Sequence, residues 1–455
     1  MEKIPIEVLY KILIFMPNIR KKKVLNTFFS ALIDQIVIHY DNKFNNILPN
    51  WENNLKELIK LLVSTNDTDA VVYLINNYRG ALKYASFYTG FYNNHDLLLL
   101  GILYNYQEIA NGAALGNHLD LVKHEVSNGA SNMQQIAYYG AMGGNLDIVK
   151  YAIKKRIENI QEIINVAAEY GKFNIVEYFD EIADMQQVAD NAAKGGHVNI
   201  VEYANRMGAS NIMEIADFAA QYGKKNVLKY LRTLGTLHFD IIAIVGAENG
   251  HLSIVKYAVK NGANDFEEIA KHAALYNHLN IVMYAIMKGA RNYNELAFIA
   301  AQKGYIDLIK ILVQYIHRGY LNNIAFIAVQ NKHSDIVRYL ISAGARNYDD
   351  LAYMAALNGD LALVKYLYKV SNHTINMNKV ACNGARNGHF DIVEYAFKKH
   401  ADNFNDVASI AARNNFKNIL ELAINKGADN YESIYNTAMA FKNHSIAIYI
   451  SKMMK

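Results

Sequence analysis

The 455-residue chain has one cysteine, Cys382, and three prolines, Pro5, Pro17 and Pro49, all within its first fifty residues. A single thiol excludes a disulfide framework and any multi-thiolate zinc or iron–sulfur site. It also points to a reducing compartment, the cytoplasm. Beyond Pro49 no proline interrupts the chain, as suits continuous helix, because proline removes an amide donor and collides with the preceding turn. Charge is scarce in both signs: 46 Lys and Arg against 42 Asp and Glu, net +4. Such a balance speaks against a nucleic-acid protein, which should carry a basic stripe. Long hydrophobic runs are missing too. The most apolar stretch, Leu97 to Leu103, falls far short of the roughly 20 residues a bilayer span needs. The start, Met1-Glu2-Lys3-Ile4-Pro5, lacks a secretory signal's apolar core. Neither a membrane nor a nucleic acid is therefore an expected partner. An apolar content of 52% excludes a disordered chain.

What the chain has in abundance is self-similarity. Gly196-His197-Val198-Asn199-Ile200-Val201-Glu202-Tyr203 returns as Gly250-His251-Leu252-Ser253-Ile254-Val255-Lys256-Tyr257 and as Gly388-His389-Phe390-Asp391-Ile392-Val393-Glu394-Tyr395. With the His position as anchor, the pattern recurs at Asp67, Asn94, His118, Asn145, Lys172, His197, Lys224, His251, His278, Tyr305, His333, Asp360, His389, Phe416 and His444. Nine of the fourteen intervals are 27 residues. A fixed period of this length signals stacked repeats.

Within one unit, Asn292-Tyr293-Asn294-Glu295 reads as a capping box. The signature returns at Asn159 to Glu162, Asn211 to Glu214, Asn264 to Glu267 and Asn347 to Asp350. A short helix with small, packed Ala300 and Ala301 follows, and Gly304 breaks it. A second helix carries Ile306, Ile309, Leu312, Val313 and Ile316 as its apolar stripe. Neither helix can form a core alone, so each must bury its stripe against the next unit. The expected fold class is all-α, a solenoid of stacked helix–turn–helix units. About fifteen units span residues 61–455, the terminal ones degenerate, and residues 36–60, with Trp51, form a helical connection into them.

No catalytic constellation emerges. The histidine row suggests metal binding, but ligands sit about 2 Å from zinc while packed helices stand about 10 Å apart. Each histidine is expected to bond turn backbone instead. No phosphate-binding glycine loop and no nucleophile elbow is present, and Cys382 reads as a small buried filler. The basic run Arg20 to Lys23 reads as a solvated loop. No enzyme activity, cofactor or metal is expected. Tyr139, Tyr170, Tyr222 and Tyr276 lie at or near the ends of first helices, where exposed aromatics would make interface anchors.

These units resemble ankyrin repeats. Gly-His-Leu-x-Ile-Val-Lys-Tyr followed by Gly-Ala, as at Gly250–Tyr257 and Gly262-Ala263, is similar to the second half of an ankyrin unit. Two departures stand out: ankyrin units run 33 residues, and the Thr-Pro-Leu-His opening is absent. The missing residues fall where the family's projecting β-hairpin belongs, so that finger is expected to shrink to a tight turn. The short units, rich in Asn and Tyr, are similar to those of the large ankyrin families of amoeba-infecting giant DNA viruses of the mimivirus type. The resemblance implies a non-enzymatic scaffold that holds a protein partner on the concave face lined by the first helices, with the four tyrosines above as contacts. Residues 1–35 resemble an F-box, with Ile4, Pro5, Val8, Leu9, Ile12 and Leu13 as anchors for a Skp1-type subunit of a ubiquitin ligase. That resemblance implies a substrate adaptor working in a host cell's cytoplasm. Two other readings stand: residues 1–35 as a structural cap on a plain scaffold or inhibitor, and, more remotely, a nucleic-acid-binding solenoid.

Overall fold

The computed structural model describes residues 51–78 and 80–454. The F-box-like segment, with its six anchors, and residues 36–50 lie outside the described residues. The described residues form thirty α-helices, one 3-10 turn (Arg318–Tyr320) and no strand. The helices pair, odd numbers being the first of each unit and even numbers the second. The first helices are α1 (Trp51–Ser64), α3 (Ala81–Tyr92), α5 (Tyr106–Leu115), α7 (Met133–Gly143), α9 (Ile160–Glu169), α11 (Met185–Gly195), α13 (Ile212–Gln221), α15 (Phe239–Glu248), α17 (Phe266–Leu275), α19 (Tyr293–Lys303), α21 (Leu321–Gln330), α23 (Tyr348–Asn358), α25 (Met377–Arg386), α27 (Phe404–Arg413) and α29 (Tyr431–Ala440). The second helices are α2 (Thr68–Asn77), α4 (His95–Leu99), α6 (Leu119–Asn128), α8 (Leu146–Lys154), α10 (Phe173–Tyr178), α12 (Val198–Arg206), α14 (Lys225–Leu234), α16 (Leu252–Lys260), α18 (Leu279–Lys288), α20 (Ile306–Leu312), α22 (Ser334–Ala343), α24 (Leu361–Val370), α26 (Phe390–Lys398), α28 (Lys417–Lys426) and α30 (His444–Ser451). The fold class is the expected all-α array of helix pairs, with no β-hairpin finger among the described residues. The expected array start at residue 61 falls inside α1, which packs on α2 and α3 as the first helix of a pair. The chain divides into two compact units, the first ending at Asn211 and the second running Ile212–Lys455.

Each helix pair follows one numbering. Take the residue that caps the first helix as position 0. From α5 to α27, position 4 is then Ile, Val or Leu, position 5 is Ala except for Ile164, positions 8 and 9 are Ala or Gly except for Val329, and position 13 is the anchor that caps the second helix. The end pairs depart, with Tyr84 and Tyr88 in α3 and Tyr435 and Met439 in α29. In α17, for example, Asp265 caps, and Ile269, Ala270, Ala273 and Ala274 are wholly buried. Small residues let first helices approach closely. The limit is reached between α3 and α5, where a Cβ on Gly112 would lie 1.8 Å from the Phe87 carbonyl oxygen and one on Gly90 would lie 2.0 Å from that of Ile109. Only glycine fits at that crossing.

The structure corrects two details of the sequence reading. The fifteenth anchor is Asn443, not His444. Asn443 caps α30 and donates its amide to the carbonyls of Ala412 and Arg413 at 2.7 and 2.8 Å, leaving His444 as the first helical residue. The capping boxes are also less uniform than expected. Asn105, Asn132 and Asn159 accept the amide three residues on at 3.0–3.3 Å. In the quartet beginning at Asn264 the cap is Asp265. Asn292 and Asn347 do not cap; their side chains turn to the preceding unit and donate to the carbonyls of Glu267 and Asn322 at 3.2 and 3.1 Å. An asparagine amide can serve its own helix or its neighbour; Asn347 serves the neighbour, and Asn292 serves both, donating also to Glu295 at 3.1 Å.

Candidate functional site

Two ladders of polar bonds and one of rings hold successive helix pairs together. They determine which side chains are left for a partner. The first ladder is the anchor. His118, His197, His251, His278, His333 and His389 each direct Nε2 at a carbonyl oxygen near the end of the preceding unit's first helix, at 2.8–3.2 Å. A carbonyl only accepts, so Nε2 carries the proton. Asn94, Asn145 and Tyr305 make the same cross-unit bond with other donors. This satisfies helix C-terminal carbonyls that lack intrahelical partners. The imidazoles also lie over glycines. Gly250 has φ +77°, and a Cβ there would stand 2.7 Å from Cε1 of His278. Among the described residues no group of three or more His, Cys, Asp or Glu could hold a metal ion.

The second ladder occupies position 2 and replaces the missing hairpin. Gln107 Oε1 accepts the backbone amides of Ser131 and Asn132 in the next unit's turn, at 3.0 and 2.8 Å. Gln134, Gln161 and Gln186 do likewise along the first unit. Asp240, Asn322, Asn378 and Asn405 do so in the second. The third ladder joins second helices. Lys150 sits 3.9 Å from the centre of the Tyr178 ring, and Lys256–Tyr284, Arg338–Tyr366 and Lys365–Tyr395 repeat the contact one unit on at 4.4–5.7 Å. The Val-Lys-Tyr tripeptide is thus a cation–π link between neighbours.

The four tyrosines marked from sequence do not share one position. Tyr170, Tyr222 and Tyr276 follow the last residues of α9, α13 and α17 and are 41%, 46% and 58% exposed. Tyr276 also stacks at 6.5 Å over the ring of the anchor His278. Phe441 stands at the equivalent place after α29, 48% exposed, with the Arg413 guanidinium 4.5 Å from its ring. Sequence reasoning missed it because the anchor behind it was misplaced by one residue. Tyr139 is a different case: it lies four residues before the end of α7, half-buried and edge-on to Phe87 at 5.2 Å. Burial, and then the charge of Glu108, push its phenol pKa up.

In the first unit a cleft of about 560 Å³ opens on the first-helix face between α9 and α11. Asn165, Glu162 and Glu169 line it from α9 and Gln187 and Asn191 from α11. An amide chain crosses it, Gln161 donating to Asn165 at 2.8 Å and Asn165 to Gln187 at 2.9 Å. In the second unit Phe298, Phe326 and Tyr353 occupy position 6 of three consecutive first helices, all half-buried. The Tyr353 hydroxyl donates to Asp349 at 2.9 Å. Burial first, and that bond second, raise its pKa. Cys382, at the same position of α25, is half-buried rather than buried. It accepts from Asn403 at 3.0 Å, and burial pushes its thiol up, away from the reactive thiolate.

Near-neutral net charge conceals a segregation. Residues 51–211 carry 12 basic and 18 acidic side chains, and residues 212–455 carry 27 basic and 20 acidic. No helix among the described residues is long and apolar enough to cross a membrane.

Residues 272–350 and 297–381 match the family model described as ankyrin repeats, in three copies. Among curated proteins none matches the chain. Two solved structures resemble it loosely. A pentatricopeptide repeat protein from maize shares 10% identity at a TM-score of 0.26, covering 99% of this chain and 77% of that one. A circular tandem repeat protein with novel repeat topology shares 16% identity at a TM-score of 0.11, covering 87% of this chain and 86% of that one. Likenesses this distant bear on nothing further.

Proposed function

We propose that this chain, an ankyrin-repeat protein by its central repeats, is a non-enzymatic scaffold that holds a protein partner on the first-helix face. One observation carries the reading. Positions 2, 4, 5, 8, 9 and 13 are largely committed to stacking, whereas Tyr170 in the first unit and, separately, Tyr222 and Tyr276 in the second keep exposed rings just past the ends of their first helices. Rings of this kind, amphipathic and costing little side-chain entropy to fix, are good interface anchors. The half-buried Phe298, Phe326 and Tyr353 add apolar side chains on first helices of the second unit.

The test is affinity capture by the full chain and by a Tyr170→Ser/Tyr222→Ser/Tyr276→Ser variant whose helicity matches it. A partner recovered with the first and lost with the second is the expected result. Equal recovery by both overturns the reading.

A finer reading makes the scaffold a cytoplasmic substrate adaptor for a host ubiquitin ligase. It is supported by the F-box-like sequence of residues 1–35, with Ile4, Pro5, Val8, Leu9, Ile12 and Leu13 as contacts to a Skp1-type subunit. Recovery of a Skp1-type protein by the full chain, and its loss in an Ile4→Ser/Leu9→Ser variant, is expected. Undiminished recovery by the variant would count against it.

A further inference from the structure

The basic excess of the second unit is concentrated. Three neighbouring second helices, α14, α16 and α18, contain Lys225, Lys229, Arg232, Lys256, Lys260 and Lys288 and no Asp or Glu. They pack in order, α14 on α16 and α16 on α18. None of the six has a carboxylate within 4.0 Å among the described residues. Elsewhere in the unit three second-helix lysines are paired, Lys310 with Asp307, Lys398 with Glu394 and Lys417 with Glu421, while the unpaired Lys365, Lys369 and Lys426 stand on α24 and α28 rather than on three neighbouring acid-free helices. Three of the six instead lean on tyrosine rings: Lys225 lies 5.8 Å from Tyr257, and Lys256 and Lys288 each lie 5.7 Å from Tyr284. A ring orients an ammonium without neutralising it. Next to this uncompensated charge stand two exposed methionines one turn apart on α18, Met283 at 46% and Met287 at 73%.

We propose that the second-helix face of α14, α16 and α18 docks an acidic protein segment that also carries apolar side chains. Carboxylates of the segment would meet the lysines and Arg232, and its apolar side chains would cover Met283 and Met287. Flexible, polarisable methionine suits such a contact. A nucleic acid fits less well. Its phosphates come at about one charge per 1.7 Å of duplex, whereas these cations are spread over layers about 10 Å apart, and a phosphate backbone offers the methionines nothing. This surface lies on other helices than the face assigned to the partner above, so the two stand or fall separately.

The test is fluorescence anisotropy with the full chain and three labelled probes. The first is a short helix-forming peptide with a row of Glu and a row of Leu. The second is the same peptide with every Leu replaced by Gln, and the third is a single-stranded oligonucleotide of equal charge. The Glu/Leu peptide is expected to bind saturably, more weakly as salt rises, and tighter than either other probe. Lys229→Glu/Lys260→Glu should weaken it by about tenfold, since a reversed charge repels where the original attracted. Neither lysine makes a ring contact or an ion pair, and both are exposed, so an unchanged melting curve accompanies the loss. Met283→Ser/Met287→Ser should weaken the Glu/Leu peptide and leave the Gln peptide unaffected. No saturable binding, an oligonucleotide bound as tightly, or either double variant binding like the parent overturns the proposal. The tyrosine triple variant should bind the peptide normally, which separates this surface from the first-helix face.

Discussion

Replacing His278 by alanine removes a bond between helix pairs while leaving both pairs intact. His278 donates Nε2–H to the Glu248 carbonyl at 2.9 Å, and its ring covers Gly250. The net value of a neutral hydrogen bond is about 1 kcal/mol, and a carbonyl left without a partner adds about as much again. His278→Ala should therefore weaken the coupling by about 2 kcal/mol. Hydrogen exchange in α15 and α17 would then rise by up to about thirtyfold. His278→Asn should cost less than about 1 kcal/mol, because Asn145 and Asn443 make the same bond at the same position. A second mutation sharpens the test. Gly250→Ala carries the left-handed backbone cost of about 1–2 kcal/mol, plus a collision 2.7 Å from His278 Cε1. In the His278→Ala background the collision is gone, so the two changes should couple by about 1–2 kcal/mol. Exchange measured by mass spectrometry, with urea unfolding followed by circular dichroism, supplies the cycle. If His278→Asn proves as damaging as His278→Ala, or if the two sites are additive, the anchor does not clamp neighbouring helix pairs together.

Three further outcomes follow from the same geometry. Gly112→Ala drives a Cβ to within 1.8 Å of the Phe87 carbonyl oxygen; it should destabilise the first unit by more than about 3 kcal/mol, seen as lost cooperativity in its melting, while Gly80→Ala, with nothing within 4 Å, costs only backbone strain. Gln107→Leu strips the acceptor from the amides of Ser131 and Asn132, and should cost about 1–3 kcal/mol and speed exchange at those two amides selectively. Asp217 has a buried Oδ1 without a partner, and its pKa is raised by burial and then by Glu214. The folded chain thus holds that proton more tightly than the unfolded one, so the stability this residue contributes is present below the ordinary aspartate range and is lost as pH rises through the folded value. Asp217→Asn should raise the melting temperature at neutral pH and bring no gain near pH 3; a gain that does not depend on pH would contradict the assignment.

Sequence alone determined the period, the helix pairing and the absence of a finger, because these rest on local rules. A Gly turn ends a helix, an apolar residue at position 4 and small residues at positions 8 and 9 define a buried face, and a 27-residue spacing leaves no room for a hairpin. What tertiary structure decided is what each polar side chain does. Asn292 has the sequence of a cap, yet it donates to Glu267 in the unit before, and Gln107, which nothing in its local sequence marks, holds the next turn. Tyr139 and Tyr170 both fall near the end of a first helix, but one lies within α7 against Phe87 and the other caps α9 in solvent. The cation–π ladder and the six unpaired cations of α14, α16 and α18 belong to the same class. Their partners, or lack of them, lie a whole repeat away, and only stacking decides which side chain of one unit faces which of the next.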